Sequence, residues 1–282
     1  MKRRSGKAKT VRVSGSSGRR VANKWIKTKV LQTDGWLGSH IPETKRLTMD
    51  NLYDMLRKYG MVYVKPTFGS LGRGVMKTDR KVSTRRGRER VRYSYQLKET
   101  KRTFPDYESF YSSLMRHTDG ASYLAQKGVR MLKHKGRVFD VRLVVQRAPQ
   151  GGWEATGSVG RVAHPRKIVT NGSQGGTIYP TTYLLKNFVS PARTYRLMER
   201  MDELGLRTVK RLKRTYPGLV EIGLDLAIDR NMKPWILEVN TTPDPCPFAV
   251  LSDKSMLRRI IRYGKAYGKT YRLNCMKARR GL

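Results

Sequence analysis

Residues 218–229, GLVEIGLDLAID, and residues 234–240, PWILEVN, decide the fold. Both are short apolar runs of strand-like composition, and the four residues RNMK at 230–233 join them as a hairpin. Pairing Asp229 with Pro234 at the tip sets Asp225 directly across from Glu238, where opposed Cβ atoms stand roughly 4.5–5.5 Å apart. Asn240 shares the face of Glu238. Three oxygen-bearing side chains therefore converge on otherwise apolar strands, and two carboxylates this close repel unless a cation lies between them. Magnesium suits such a set, because it takes carboxylate and amide oxygens, keeps some water and bridges protein carboxylates to nucleotide phosphates. Asp225, Glu238 and Asn240 are the candidate metal ligands.

Toward the N-terminus, residues 63–75 read YVKPTFGSLGRGV, a strand running into glycine, and a strand resumes at residues 75–78. A phosphate-binding P-loop ends in Gly-Lys-Ser/Thr and opens a helix, and a dinucleotide fingerprint also opens a helix; neither follows Gly74. The order strand, glycine loop, strand fits a hairpin folded over a phosphate. Gly69, Gly72 and Gly74 carry no Cβ, so their amides can close on phosphate oxygens, while Lys65 supplies a compact cation at the strand end. Ser70 and Arg73 complete the loop's candidate nucleotide contacts.

Before this loop, residues 23–33 read as a helix opened by an Asn23 cap, which puts Lys24 on its first turn, and a second helix runs from the Thr48 cap to Gly60. The length of 282 residues and an apolar content of 38% allow one large domain or two modest lobes with real cores. No stretch has the roughly 18 to 20 apolar residues of a membrane span, and the basic start lacks a secretory h-region, so a cytoplasmic protein is expected. Cys246 and Cys275 show no metal or redox spacing and are expected as reduced thiols.

The formal net charge is +39. Residues 1–20 hold eight Lys or Arg among Ser and Gly and read as a disordered basic arm; residues 258–282 hold nine more. Residues 80–92 pack seven basic residues and one Glu around Arg86-Gly87-Arg88, which reads as a solvated hairpin tip. The body between the ends is itself basic, and such a field concentrates anions. An acidic acceptor is therefore expected, whether small molecule, peptide or polymer. Nucleic acid is the competing polyanion, although no aromatic residues interleave with the basic clusters as stacking platforms would.

Lys24, Lys65 with its glycine loop, and the set Asp225, Glu238 and Asn240 resemble the ATP-grasp superfamily in order and spacing. The segments His40-Ile-Pro-Glu-Thr44, Phe139-Asp-Val-Arg142, Arg161-Val-Ala163, Asn171 and Gly175-Gly176 are similar to its YheC/YheD-like branch, over about residues 22–265. The resemblance implies an α+β fold in which two lobes grip ATP. The expected divisions are a basic arm at 1–21, a small lobe at 22–125 with the glycine loop, a large lobe at 126–267 with the metal site, and a basic tail at 268–282. It further implies that Lys24 and Lys65 hold the α and β phosphates. Adenine would be read by the backbone of Gln126, Lys127, Gly128 and Val129, the ribose would meet Asp140, and Arg142 would steady the triphosphate or the developing acyl phosphate. Arg161 and Asn171 resemble substrate-side residues that orient the attacking amine.

The family's usual N-terminal α/β subdomain, which helps hold substrate, is not expected here, because only about twenty residues precede Lys24. The function implied is Mg-ATP-dependent ligation of a carboxylate to an amine or a thiol through an acyl phosphate. Two magnesium ions are expected, with Mn2+ as a substitute. The family's spore-coat association supports an alternative, an ATP-binding structural protein of the spore with weak catalysis. A basic nucleic-acid-binding protein is the second alternative.

Overall fold

The computed structural model describes residues 21–85, 87–170, 175–271, 273 and 278–281. The basic arm up to residue 20, Asn171 and Cys275 therefore lie outside the described residues.

The chain begins with α1 (Lys24–Gln32), where the Asn23 side chain accepts from the Ile26 amide at 3.1 Å. Lys24, Lys27 and Leu31 form its buried face at the i, i+3, i+7 spacing of one helical stripe. There follow α2 (Gly35–Gly38), β1 (Thr44–Arg46) and α3 (Met49–Tyr59), the last capped by Thr48 and stopped by Gly60 at φ 72°. Next come β2 (Met61–Pro66), β3 (Met76–Arg85), β4 (Arg88–Leu97), β5 (Thr100–Phe104), α4 (Tyr107–Met115) and β6 (Tyr123–Lys127). These strands form an antiparallel sheet in the order β1-β6-β2-β3-β4-β5. Helices α3 and α4 cover one face of it, burying Leu52, Leu56, Val62, Val64, Tyr95 and Phe110 together. Tyr63 and Lys65, which alternate with those valines, point from the other face.

The second half holds β7 (Lys133–His134), β8 (Arg137–Arg147), β9 (Trp153–Val162), β10 (Thr177–Pro180), α5 (Thr181–Leu185) and α6 (Pro191–Thr215). It continues through β11 (Glu221–Ile228), β12 (Pro234–Asn240), α7 (Cys246–Val250), α8 (Ser255–Ala266) and β13 (Arg279–Arg280). The sheet order is β12-β11-β8-β9-β10-β13, with β7 beside β8. On one face, Leu143, Val145, Ile222 and Leu224 pack with Leu31, Leu37, Leu204 and Leu212 from α1, α2 and α6. On the other, Val144 and Val159 pack under Phe248, Leu257 and Ile260 of α7 and α8. Strand alternation places Asp140 and Arg142 on the face of Val144, further along toward the small sheet.

Three expected divisions change. The boundary at 125/126 cuts β6, whose pairing with β2 runs to Lys127, so the small sheet ends there. Residues 22–41 join the large lobe, because the apolar stripe of α1 and α2 needs a partner and finds it on α6 and β12. The C-terminal residues are not wholly a tail: β13 pairs parallel with β10, and the Gly281 amide donates to the Ile178 carbonyl at 3.0 Å. Cys246 is disulfide-bonded, against the expectation of a reduced thiol; its spacing matches no sequence motif, so only the fold could reveal the bond. No helix among the described residues is long and apolar enough to cross a membrane.

Candidate nucleotide and metal site

Asp225 on β11 faces Glu238 on β12, as the hairpin reading predicts, but by a different route. The tip pairs Ile228, not Asp229, with Pro234, and a bulge between Asp225 and Leu226 absorbs the extra residue, Leu237. Asp229 instead braces the turn: its Oδ1 accepts from the amides of Asn231 and Lys233, and its Oδ2 from Trp235 Nε1 at 2.8 Å. Gly223 opposes Asn240 two residues beyond.

The bulge brings the two lobes into contact. The Leu237 carbonyl accepts from Lys65 Nζ at 2.8 Å, and the same ammonium donates to Gln126 Oε1 at 2.7 Å. Burial pushes Lys65 down to about 8, against the attraction of Glu238. Lys24 Nζ donates to the Gly69 carbonyl at 2.6 Å and lies 3.5 Å from Glu238 Oε1. A third lysine, Lys27, is buried beside them, donates to the Val239 carbonyl at 2.6 Å and is likewise pushed down by burial to about 8. Lys27 was not among the sequence candidates, yet it lies one helical turn from Lys24 on the same stripe, which is the signal that finds it.

The glycine loop crosses the cleft with Gly69, Gly72 and Gly74 at φ 116°, 69° and 71° and with Leu71 at φ 63°. The Arg73 amide donates to the Ser70 carbonyl at 3.3 Å, closing a tight turn. A Cβ at Gly74 would sit 2.8 Å from Tyr123 Oη, so both the backbone angle and the close approach require glycine there.

Opposite the loop, a buried chain of charges runs across three strands. Asp140 on β8 faces Arg161 on β9, and Arg142 on β8 faces Asp225 on β11, so register alone delivers the pairs. Arg161 donates through Nε to Asp140 Oδ1 at 2.8 Å and through Nη2 to Asp140 Oδ2 at 2.5 Å, and Nη2 also lies 3.0 Å from Asp225 Oδ2. Arg142 Nε donates to Asp225 Oδ1 at 2.6 Å, and the Thr170 hydroxyl donates to Asp140 Oδ2 at 2.6 Å. Burial alone would raise the Asp225 carboxyl, but Arg142 and Arg161 outweigh it and hold it below the usual carboxylate range.

This network alters several expected roles. Arg161, expected on a substrate-side loop, is instead 2% exposed on β9, where its Nε and Nη2 hold the carboxylates of Asp140 and Asp225 in place. Asp140 lines the cleft with Oδ2 accepting from both Arg161 and Thr170 and Oδ1 accepting only from Arg161 Nε, so Oδ1 keeps acceptor capacity. The expected repulsion between Asp225 and Glu238 is relieved by arginines on one side and Lys24 on the other. At the hinge, the amides of Lys127 and Gly128 donate to the carbonyls of Glu43 and Met61, and the Val129 amide meets no acceptor among the described residues.

Tyr63, Lys65, Gly72, Gln126, Lys127, Val129, Asp140, Asp225 and Glu238 line one cleft between the two sheets, with a cavity of about 110 Å³. The donor set fits a hard divalent cation: two facing carboxylates with Asn240 on the same face, all oxygen ligands. Among the described residues no cluster of three His, Cys, Asp or Glu side chains forms, so such an ion would need the Asn240 amide and phosphate oxygens to complete its shell.

Two antiparallel-sheet lobes that close on one cleft, with a lysine-backed glycine loop on one wall and a carboxylate hairpin on the other, define an ATP-grasp protein. The chain belongs to the YheC/D like ATP-grasp family, whose profile matches residues 16–270. It is 27% identical over 224 residues to endospore coat-associated protein YheD of Bacillus subtilis (strain 168), covering 78% of this chain and 48% of YheD. To endospore coat-associated protein YheC of the same organism it is 24% identical over 233 residues, covering 80% of this chain and 61% of YheC. The chain thus spans about half to three-fifths of the curated relatives it matches. Among solved structures, D-cycloserine synthetase DcsG superimposes with a TM-score of 0.51 at 12% identity, over 87% of this chain and 69% of that one. That likeness establishes the fold alone.

Proposed function

We propose that the protein is an Mg-ATP-dependent ligase that activates a carboxylate as an acyl phosphate and passes it to an amine or a thiol. The observation that carries this reading is the placement of Lys65, the glycine loop and the facing pair Asp225 and Glu238 around one cleft. The Val129 amide is the hinge donor left for the adenine ring. Lys24, Lys65 and the loop amides would take the phosphates, with Lys27 adding charge behind them. Magnesium held by Asp225, Glu238 and Asn240, most simply as two ions and replaceable by Mn2+, would neutralise the triphosphate. Arg142 is tied to Asp225 only through Nε, and its terminal nitrogens have no hydrogen-bond partner among the described residues, so they are available to the transferring phosphoryl group.

In the first step a substrate carboxylate oxygen attacks the γ-phosphorus, the bond from that phosphorus to the β–γ bridging oxygen breaks, and ADP leaves with the electron pair. The nucleophile then attacks the acyl carbon and expels inorganic phosphate, losing its proton to the departing phosphate or to water. Asn171, outside the described residues, stays a proposed substrate-side residue.

A second reading, an ATP-binding structural protein, draws on the engagement of both Asp225 oxygens by arginines and on the coat association of the relatives. That association also supports a proposed spore location following synthesis in the cytoplasm. Calorimetric titration with ATP and magnesium, followed by assay of ADP and phosphate release with sets of acids and amines, tests both. Nucleotide binding without turnover would favour the structural reading, and no nucleotide binding would overturn both.

A further inference from the structure

Strands β3 and β4 run on well past the cleft as a two-stranded ribbon. Their register places Lys81 opposite Arg92, Ser83 opposite Arg90, and Arg85 opposite Arg88. All of these side chains share one face, because the alternate pairs at the root, such as Thr78 with Tyr95, belong to the face that α3 and α4 cover. The charged face is the cleft face: Lys77 lies on it and pairs in register with Tyr63 of the nucleotide cleft. Lys101 of β5, opposite Gln96, extends it sideways.

These cations are exposed and, among the described residues, Lys81, Arg85, Arg88, Arg90, Arg92 and Lys101 form no ion pair with an acid. Glu89, the acid within the ribbon, opposes Thr84 on the other face, and Asp79 is taken by Lys77 at 3.0 Å. Like charges directly opposite on a sheet destabilise it, so the ribbon carries a cost that a bound polyanion would remove.

The row of charge also leads somewhere. At its root Gln96 Nε2 donates to the Arg166 carbonyl at 3.1 Å and Arg166 pairs with Glu99 at 3.1 Å, so the ribbon meets the large lobe at the cleft mouth. Beside that junction lies a cavity of about 490 Å³ between the glycine loop and residues 167–169, lined by Arg73, Lys98 and Lys167 among others.

We propose that this face of the β3–β4 ribbon and the adjoining cavity form a docking track for an extended acidic polypeptide that presents a carboxylate to the nucleotide cleft. The inference rests on the ligase reading, and it names that reaction's substrate class. Same-face side chains of an extended chain repeat at about 6.8 Å, the spacing of the cations along β4. A polypeptide rich in Asp or Glu answers the charge and also supplies the carboxylate that acyl phosphate formation consumes, whereas nucleic acid supplies only the charge. The track carries no aromatic side chain on which bases could stack; Tyr93 and Tyr95 are buried on the opposite face.

The test compares binding of labelled poly-L-glutamate, and of a single-stranded oligonucleotide of equal charge, to the wild type and to two triple variants at about 0.1 M salt. One variant is Lys81→Gln with Arg90→Gln and Arg92→Gln; the other neutralises the exposed Arg193, Arg196 and Arg200 of α6 and controls for net charge. The ribbon variant should weaken poly-L-glutamate binding at least about tenfold and the α6 variant less than about twofold. ATP affinity should be unchanged in both. Arg90→Gln alone, opposite neutral Ser83, serves as a milder second variant and should show a smaller loss in the same direction. Equal weakening by both triples, no weakening by the ribbon variants, or tighter binding of the oligonucleotide than of poly-L-glutamate would overturn the proposal. Failure of ATP to bind the wild type would instead overturn the ligase reading.

Discussion

Asp225 stands across from Glu238 in the β11–β12 pair, yet its carboxylate is bonded to Arg142 and Arg161 and the nearest cation to Glu238 is Lys24. The two acids face each other but are neutralised from different directions. The pair is therefore unequal. Asp225→Asn would leave the buried Arg142 without its carboxylate and take from Arg161 one of its two, and should cost the metal-free protein about 3 kcal/mol, the range for breaking one side of a buried ion pair. Glu238→Gln, at a part-exposed position with a longer contact, should cost less than about 1 kcal/mol. Urea unfolding of both variants without metal checks this. Equal losses would show that the arginines do not depend on Asp225.

Nucleotide binding should draw protons onto the protein in mildly alkaline solution. Lys65 and Lys27 both sit near 8 because burial disfavours their charged forms, so above that pH they are mostly neutral. Phosphate oxygens favour the charged form and raise both pKa values, so the complex holds more protons than the free protein. Calorimetry at pH about 8.5 in two buffers of different ionisation enthalpy should give different apparent enthalpies, and Lys65→Met should reduce the difference. Identical enthalpies in both buffers for the wild type would refute it.

Gly74→Ala combines an unfavourable left-handed backbone with a Cβ pressed against the Tyr123 hydroxyl. Its local cost should be about 1–2 kcal/mol. Because the loop lies outside both cores, ATP affinity should fall about tenfold while the melting temperature barely moves. A large fall in melting temperature with normal ATP affinity would assign Gly74 to folding instead.

Asp202 on α6 tests the fold away from the cleft. Burial raises its carboxyl to about 6, with Arg259 opposing and Glu199 adding to the shift. The folded state then binds the proton more tightly than the unfolded chain between about pH 4 and 6, so stability falls as pH rises through that window. Asp202→Asn should remove this slope and raise the melting temperature at pH 7. Parallel stability curves for the variant and the wild type from pH 4 to 7 would show the group is effectively solvated.

The sequence made the hairpin at 218–240, the glycine loop and the caps at Asn23 and Thr48 legible, because each depends on neighbours a few residues apart. The facing of Asp225 and Glu238 was legible too, although the assumed tip was wrong by one residue and the bulge at Leu237 compensated. Bulges leave no reliable local signature, so that agreement depended on the fold. The Asp140–Arg161 and Arg142–Asp225 pairs were hidden for a related reason. The Arg142–Asp225 pair requires the register of strands joined through a long connection, the Asp140–Arg161 pair depends on a bulge at Val144–Val145 within the β8–β9 hairpin, and an isolated Arg161 looks the same whether it is solvated or sealed between two acids. The assignment of residues 22–41 was equally hidden, since an apolar helical stripe does not say which sheet it will cover.

The backbone carbonyls of Gly69, Leu237 and Val239 each accept from one lysine of the cleft, Lys24, Lys65 and Lys27 respectively. These contacts act as an internal solvation shell, and an arriving triphosphate must exchange with it one ammonium at a time. Capture is then a ligand substitution at cations already in place, which needs no rebuilding of the chain before the encounter succeeds. The Lys65 exchange, like that of Lys24 and unlike that of Lys27, crosses the cleft, because its carbonyl belongs to the opposite lobe. When the phosphate takes that ammonium, a bond between the lobes is released as the nucleotide itself begins to bridge them, so the grip is handed from protein to ligand rather than added to.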